Sequence, residues 1–491
     1  MSAAPPDLHG IIAFMRSGAW SEALQHIDAV LAAKPAEPRL LIHRAQCLMA
    51  LRRRSDARAA AAAAEAFAPT DAFVRNAAGT IYSYANDHLR ALQSYDVALA
   101  HEPRNAQYLY NRAAVRRFLG DLEGAEQDYD RVIALRPSDY EAYKNRSDLR
   151  TQSVQRNHVA QLQSVLATPI ADWPGEVQLG YALAKEYEDI GAYPESFEML
   201  RRAAGRQRQH MRYDVGTDVA TVQWIIDAFP AAQLAGTEAQ GGVMDAPVFV
   251  LGLPRSGTTL VERILTSHTA LTPAGELDCF ALALTAAARQ RTAQARLSRQ
   301  ELVAHSASVD FAALGQDYLR RARSEVETPG RFVDKMPLNY LYCGLIRRAL
   351  PRAKIIHVTR HPMAACFAMY KALFRDAYPF SYDLSDIARY YVGYRRLMDH
   401  WLEVLPGAIH SVSYEALVAD QLGESRKLLA FCGLEWQEAC GRPHENRAAS
   451  TTASAAQVRQ PVYTSSLAQW QRYETELSGL KADLMAAGIA V

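Results

Sequence analysis

The residues best placed to do chemistry lie in the stretch Pro247-Val-Phe-Val-Leu-Gly-Leu-Pro-Arg-Ser-Gly-Thr-Thr-Leu260. Its apolar first part predicts a buried strand, its Gly/Pro-rich middle a turn, and the apolar-periodic run from Leu260 to Thr266 the start of a helix. A strand, a short loop and a helix in that order aim backbone N–H groups and the positive end of a helix at one point, which suits an anion the size of a phosphate. Arg255 adds a planar guanidinium that can fork onto phosphate oxygens, Gly257 lets the backbone come close, and the hydroxyls of Ser256, Thr258 and Thr259 can donate to the same anion. The spacing from Gly252 to Gly257 is that of the outer glycines of a Walker A loop, but Thr258 stands where that motif has lysine. The loop is therefore expected to bind a phosphate without the lysine by which nucleotidases hold a triphosphate. A second basic candidate closes the run Lys354-Ile-Ile-His-Val-Thr-Arg-His-Pro362, where Arg360 ends an apolar strand and can reach another phosphate of the same ligand.

These residues need a sheet that gathers them. From about Met244 onward, short β-branched runs (Val248–Leu251, Phe332–Val333, Lys354–Thr359 and Ile409–Val412) alternate with helical patterns, which predicts a parallel sheet with helices on both faces. Such sheets bind ligands beyond the carboxyl ends of their strands, where the Pro254–Thr259 loop would lie. The first half has a different grammar. Pro35, Pro69, Pro103 and Pro137 fall 34 residues apart, and twelve residues before each stands Ala23, Ala57, Ala91 or Ala125. That is the tetratricopeptide period of two helices per unit, with small residues where the helices touch. A weaker fifth pair is expected through Gly180 to Arg202, its second helix opening at Tyr193. The organisation read from these patterns is an all-α repeat solenoid over 1–210, a linker over 211–244 with a helix at Val219–Phe229, and an α/β domain over 245–491.

Composition narrows the field further. With 491 residues, 49% hydrophobic and 22% charged, the chain reads as a soluble protein of two or three domains. A formal net charge of +1 argues against whole-protein attraction to nucleic acid or a membrane surface. The six cysteines are scattered with no metal-ligand spacing, so buried thiols in a reducing compartment are expected and no metal site is. No export signal and no run of about 18 apolar residues is evident, which predicts a cytoplasmic location.

Five blocks in order give the second half a resemblance to sulfotransferases that use 3′-phosphoadenosine 5′-phosphosulfate (PAPS). They are Pro254-Arg-Ser-Gly-Thr-Thr-Leu260, Gly275-Glu276, Asp334-Lys-Met-Pro337, His357-Val-Thr-Arg-His-Pro362, and Ser454-Ala-Ala-Gln-Val-Arg-Gln-Pro-Val-Tyr463 followed by Trp470. The whole chain resembles bacterial tetratricopeptide-repeat sulfotransferases, and its second half the tyrosylprotein sulfotransferases. The resemblance implies a P-loop-like fold in which Arg255, Ser256, Gly257, Thr258 and Thr259 bind the 5′-phosphosulfate. It implies Glu276 as general base, Lys335 as the cation that stabilises charge between sulfuryl group and departing phosphate, and Ser454 in a similar stabilising role. Arg360 would hold the 3′-phosphate, and Tyr414 and Gln457 would belong to the nucleotide site. A carboxylate suits the base's task where burial raises its pKa. A cation suits a transfer that, like phosphoryl transfer, depends on positioning and charge stabilisation. The chain departs from the family where Ala368, Ala372 and Gln469 replace a serine and two basic residues, although Lys371 adjoins the second.

The expected co-substrate is thus PAPS, with 3′-phosphoadenosine 5′-phosphate as product and no metal. The expected partner is an acceptor peptide or protein in the repeat groove, with tyrosine as its hydroxyl. A saccharide or small phenol as acceptor, a homodimer built on the repeats, and a non-catalytic scaffold with a degenerate nucleotide site stay open. A P-loop kinase is disfavoured by the missing lysine and by the lack of an apolar strand ending in a Walker-B-like aspartate.

Overall fold

Each proline of the 34-residue series stands two residues beyond a helix: Trp20–Ala33, Arg54–Phe67, His88–His101 and Leu122–Leu135. The intervening helices Pro38–Ala50, Ala72–Tyr84 and Ala106–Leu119 complete the pairs. Asp71, Asp87, Asn105 and Asp121 cap helix N-termini by accepting from backbone N–H groups of the first turn, so the polar residues after each proline or loop set where the next helix begins. Ala23, Ala57, Ala91 and Ala125 are all fully buried, because only a methyl group fits where helices of a pair approach. The result is a tetratricopeptide-type solenoid. The computed structural model describes residues 8–234, 247–292, 296–326, 330–446, 448 and 467–491.

Contacts divide the chain between Thr151 and Gln152. The pair Trp173–Asp189 and Tyr193–Gln209, read from the sequence as a fifth repeat, forms with its second helix opening at Tyr193. It packs within the second unit: Tyr181, Phe197 and Leu200 share a core with Phe249 and Leu251, and Arg208 pairs with Asp386 at 2.9 Å. The line expected at 210 therefore falls inside a packed unit, since this hairpin buries its apolar face against the sheet domain. Within the expected linker, a helix runs over Val215–Ala228.

The second unit is built on five parallel strands, β1 (Val248–Gly252), β2 (Leu271–Gly275), β3 (Arg331–Asp334), β4 (Lys354–Thr359) and β5 (Ile409–Ser413), in the order β2-β3-β1-β4-β5. The period of two along central β1 splits its side chains between two cores. Phe249 and Leu251 meet Phe332 and Ile355 on one face, while Val248 and Val250 meet Val261, Ile264 and Ile356 on the other. Sequence patterning missed β2, whose Leu-Thr-Pro-Ala-Gly has no β-branched run. It is tolerated at the sheet edge, where Pro273 needs no outer partner and the register shifts before Gly275. All six cysteines are free and buried. No helix among the described residues is long and apolar enough to cross a membrane.

Candidate active site

Every strand delivers a candidate residue just past its carboxyl end. After β1 comes the loop Leu253–Gly257, after β2 Glu276, after β3 Lys335, after β4 Arg360 and after β5 Tyr414. Parallel strands put all five ends on one side of the sheet, which explains how residues up to 159 positions apart share a site.

The loop after β1 is held by close approaches. A Cβ on Gly252 would stand 2.4 Å from the carbonyl oxygen of Val358 in β4, and one on Gly257 would stand 2.6 Å from the Tyr414 ring. Gly257 has φ +104°, and Arg255 also lies in the left-handed region at φ 67°, a conformation that costs a non-glycine residue energy and persists where its surroundings impose it. Here the imposing contact is Arg360, whose Nη1 donates to the Arg255 carbonyl at 2.9 Å while its guanidinium lies 5.0 Å from the Tyr414 ring centre. The helix Thr258–Thr266 then starts from Gly257 with no side-chain cap on its first turn. Ser256, Thr258 and Thr259 are buried, and the Ser256 hydroxyl has no hydrogen-bond partner among the described residues. A buried hydroxyl without a partner is costly, so one beside an uncapped helix start marks a place shaped for an anion.

Lys335 Nζ lies 2.5 Å from Glu276 Oε1. The strands fix the pair, since the Lys335 N–H donates to the Gly275 carbonyl at 2.9 Å and so ties the ends of β2 and β3. The burial expected of the general base falls instead on its partner: the Lys335 side chain is 1% exposed and that of Glu276 45%. Edge strand β2 leaves Glu276 at the rim, open to a substrate. Two buried carboxyls adjoin the pair: Glu262, which sequence reasoning missed, and Asp334, which it quoted only as the first residue of the lysine motif. Burial pushes Glu262 up, against the pull of Lys335 and with the push of Glu276. Burial likewise pushes Asp334 up to about 7, despite the hydroxyl that Tyr318 donates to it at 3.0 Å. Glu262 lies in an amphipathic run with no local signal of function, and only the fold brings it to the pair.

Next to Arg360 in the chain and at the end of the helix that follows, His361 and Lys371 make contacts of their own. The His361 N–H donates to Glu415 at 2.9 Å, and its ring stacks on Trp470 at 5.2 Å between centroids. Lys371 Nζ meets both carboxylate oxygens of Glu188 at 2.8 and 2.9 Å and the amide oxygen of Gln469 at 3.2 Å. Sequence reasoning noticed Lys371 and Gln469 but not Glu188, which sits at the end of the repeat-like helix Trp173–Asp189. Ser454 and Gln457 lie outside the described residues. The remaining candidates (Arg255, Ser256, Gly257, Thr258, Thr259, Glu276, Lys335, Arg360 and Tyr414) stand together at the strand ends.

Residues 247–438 match the model of the sulfotransferase family. Over 382 residues the chain is 30% identical to an uncharacterised protein of Aquifex aeolicus (strain VF5), covering 77% of this chain and 50% of that one. It is 27% identical over 254 residues to a Caenorhabditis briggsae protein provisionally named a protein-tyrosine sulfotransferase, covering 50% of this chain and 87% of that one. It is also 23% identical over 241 residues to a Drosophila melanogaster protein-tyrosine sulfotransferase, covering 45% of this chain and 46% of that one. The chain thus spans about half the length of the Aquifex and Drosophila relatives. Among solved structures, a protein named MamA is matched at a TM-score of 0.28 and 16% identity, over 42% of this chain and 99% of that one. With the loop, the acid–lysine pair and the strand-end arginine all in the matched stretch, residues 247–438 form a sulfotransferase-family domain, and the chain joins it to a tetratricopeptide-type solenoid.

Proposed function

We propose that the protein transfers a sulfuryl group from PAPS to an acceptor hydroxyl carried by a peptide or protein. The observation that supports this most is the Glu276–Lys335 pair, an exposed carboxylate on a buried cation at the carboxyl ends of β2 and β3. The loop fits the phosphosulfate end of the donor. Its close glycines leave room only for backbone, and the unpartnered Ser256 hydroxyl and the uncapped helix start await an anion.

In this reading Arg255, Ser256, Thr258 and Thr259 with the Gly257 backbone hold the 5′-phosphosulfate, and Arg360 with Tyr414 holds the far end of the nucleotide. The acceptor oxygen forms a bond to sulfur while the bond from sulfur to the bridging phosphate oxygen breaks. The acceptor proton passes to Glu276. Lys335 stabilises the negative charge that grows on the bridging oxygen, and its burial strengthens that effect by excluding water. The products are a sulfate ester, 3′-phosphoadenosine 5′-phosphate and a proton that Glu276 releases to solvent. For Ser454 and Gln457, which lie outside the described residues, the resemblance implies a stabilising and a nucleotide-binding role.

The peptide acceptor rests on the solenoid, whose stacked pairs offer an extended binding surface, and on the names of the C. briggsae and Drosophila relatives. The test incubates the full chain with PAPS and a panel of tyrosine peptides, saccharides and small phenols, and reads transferred sulfate by mass. Transfer to tyrosine peptides that Glu276→Ala slows at least about 100-fold is the expected result. Transfer confined to saccharides or phenols sinks the peptide acceptor, and no transfer to any acceptor by the wild type sinks the enzyme reading in favour of a scaffold.

A further inference from the structure

Where the family has a serine and two basic residues for the 3′-phosphate, this chain has Ala368, Ala372 and Gln469, yet a cation, Lys371, adjoins Ala372 and bonds the amide oxygen of Gln469. Lys371 closes the helix Pro362–Tyr370, and its ammonium group lies over the Phe367 ring at 4.9 Å. Left alone, so long a side chain would have many rotamers. Here Glu188 engages it with both oxygens, and Gln469 contributes its amide oxygen to Lys371 while its amide nitrogen contacts Glu188. Only 21% of the Lys371 side chain and 10% of that of Glu188 are exposed. The glutamate comes from the helix Trp173–Asp189, whose sequence reads as part of a repeat, and which is anchored here by the Tyr181 hydroxyl on the carbonyl of Tyr370.

We infer that Glu188 is a positioning residue of the nucleotide site: by fixing Lys371, it supplies the cation that the chain's missing 3′-phosphate contacts would have provided. This rests on the PAPS reading above. Burial lowers the Lys371 pKa, Glu188 acts against it, and the field of Arg255 and Arg360 adds a smaller push downward. Like charges in reach of one another repel, and the Glu188 carboxylate offsets that repulsion while holding the Lys371 ammonium in place. Gln469, a departure from the family's basic residue, fits this role because an amide can accept from the ammonium and donate to the carboxylate at once.

The test measures calorimetric binding of 3′-phosphoadenosine 5′-phosphate and of adenosine 5′-phosphate to the full chain, in the wild type and in Glu188→Gln, Lys371→Gln and Lys371→Arg. The two nucleotides differ only in the 3′-phosphate. Glu188→Gln and Lys371→Gln are each expected to weaken the bisphosphate roughly tenfold, the worth of one hydrogen bond to a charged group. Binding of adenosine 5′-phosphate should stay unchanged, and Lys371→Arg should keep most of the preference. A gain in bisphosphate affinity in Glu188→Gln would mark the carboxylate as a competitor of the phosphate and overturn the inference. An equal loss for both nucleotides would reduce Glu188 to a fold contact and overturn it too. Wild-type protein that binds neither nucleotide would fell the PAPS reading first, and this inference with it.

Discussion

Asp334 offers the sharpest quantitative check, because its burial has a price that pH can remove. The carboxyl ends β3, is fully buried, and rises from an ordinary 3.8 to about 7, with burial as the leading cause and the charge of Glu262 adding to it. Between those two values the folded protein keeps a proton that the unfolded chain has released. Stability therefore falls as pH rises through that window, the opposite of an ion-paired carboxylate. At about 1.4 kcal/mol per tenfold change in proton affinity, the loss accumulated between pH 4.5 and 8.5 is roughly 3 kcal/mol. Asp334→Asn removes the titration and keeps an oxygen to accept from the Tyr318 hydroxyl. Urea unfolding can be followed by tryptophan fluorescence, which reports this unit because five of the six tryptophans lie beyond residue 152. The stability of the variant relative to the wild type should rise by roughly 3 kcal/mol from pH 4.5 to 8.5. A difference that stays constant across that range would refute the reasoning and mean that Asp334 is ionised in the fold.

Other outcomes follow from the same geometry. Ser256→Ala should leave the melting temperature level or raise it, since it removes a buried hydroxyl that lacks a partner, and yet weaken binding of 3′-phosphoadenosine 5′-phosphate; a lowered melting temperature would show that the hydroxyl serves the fold. Gly257→Ala should lower thermal stability by roughly 1–2 kcal/mol for a side chain in left-handed backbone, and the displaced Tyr414 ring should cost nucleotide affinity as well, read by calorimetry. Glu276→Ala should lower kcat about 100- to 10,000-fold with nucleotide affinity kept, whereas a drop in affinity alone would make Glu276 a binding group. Lys335→Ala should also lower kcat, by about 100- to 1,000-fold, with the bound nucleotide still detected by its thermal shift.

Much of this protein is legible in its sequence because the decisive signals are local. Four prolines in register and four alanines set the helix pairs, since a helix stop and a helix contact each depend on a few neighbouring residues. Four of the five strands declare themselves as β-branched runs, and the loop from Gly252 to Gly257 carries its own turn chemistry. The edge strand β2 did not, because its place beside β3 owes more to pairing than to its own residues. Tertiary structure alone decided the rest. It buried Lys335 and left its partner Glu276 at the rim, it buried the carboxyls of Glu262 and Asp334, and it took a helix pair with repeat grammar and packed it on the sheet domain so that Glu188 meets Lys371. Repeat period and strand pattern are written in nearest neighbours along the chain, whereas burial and the pairing of charges are set by which surfaces of distant segments close on one another, and no short stretch of sequence records that.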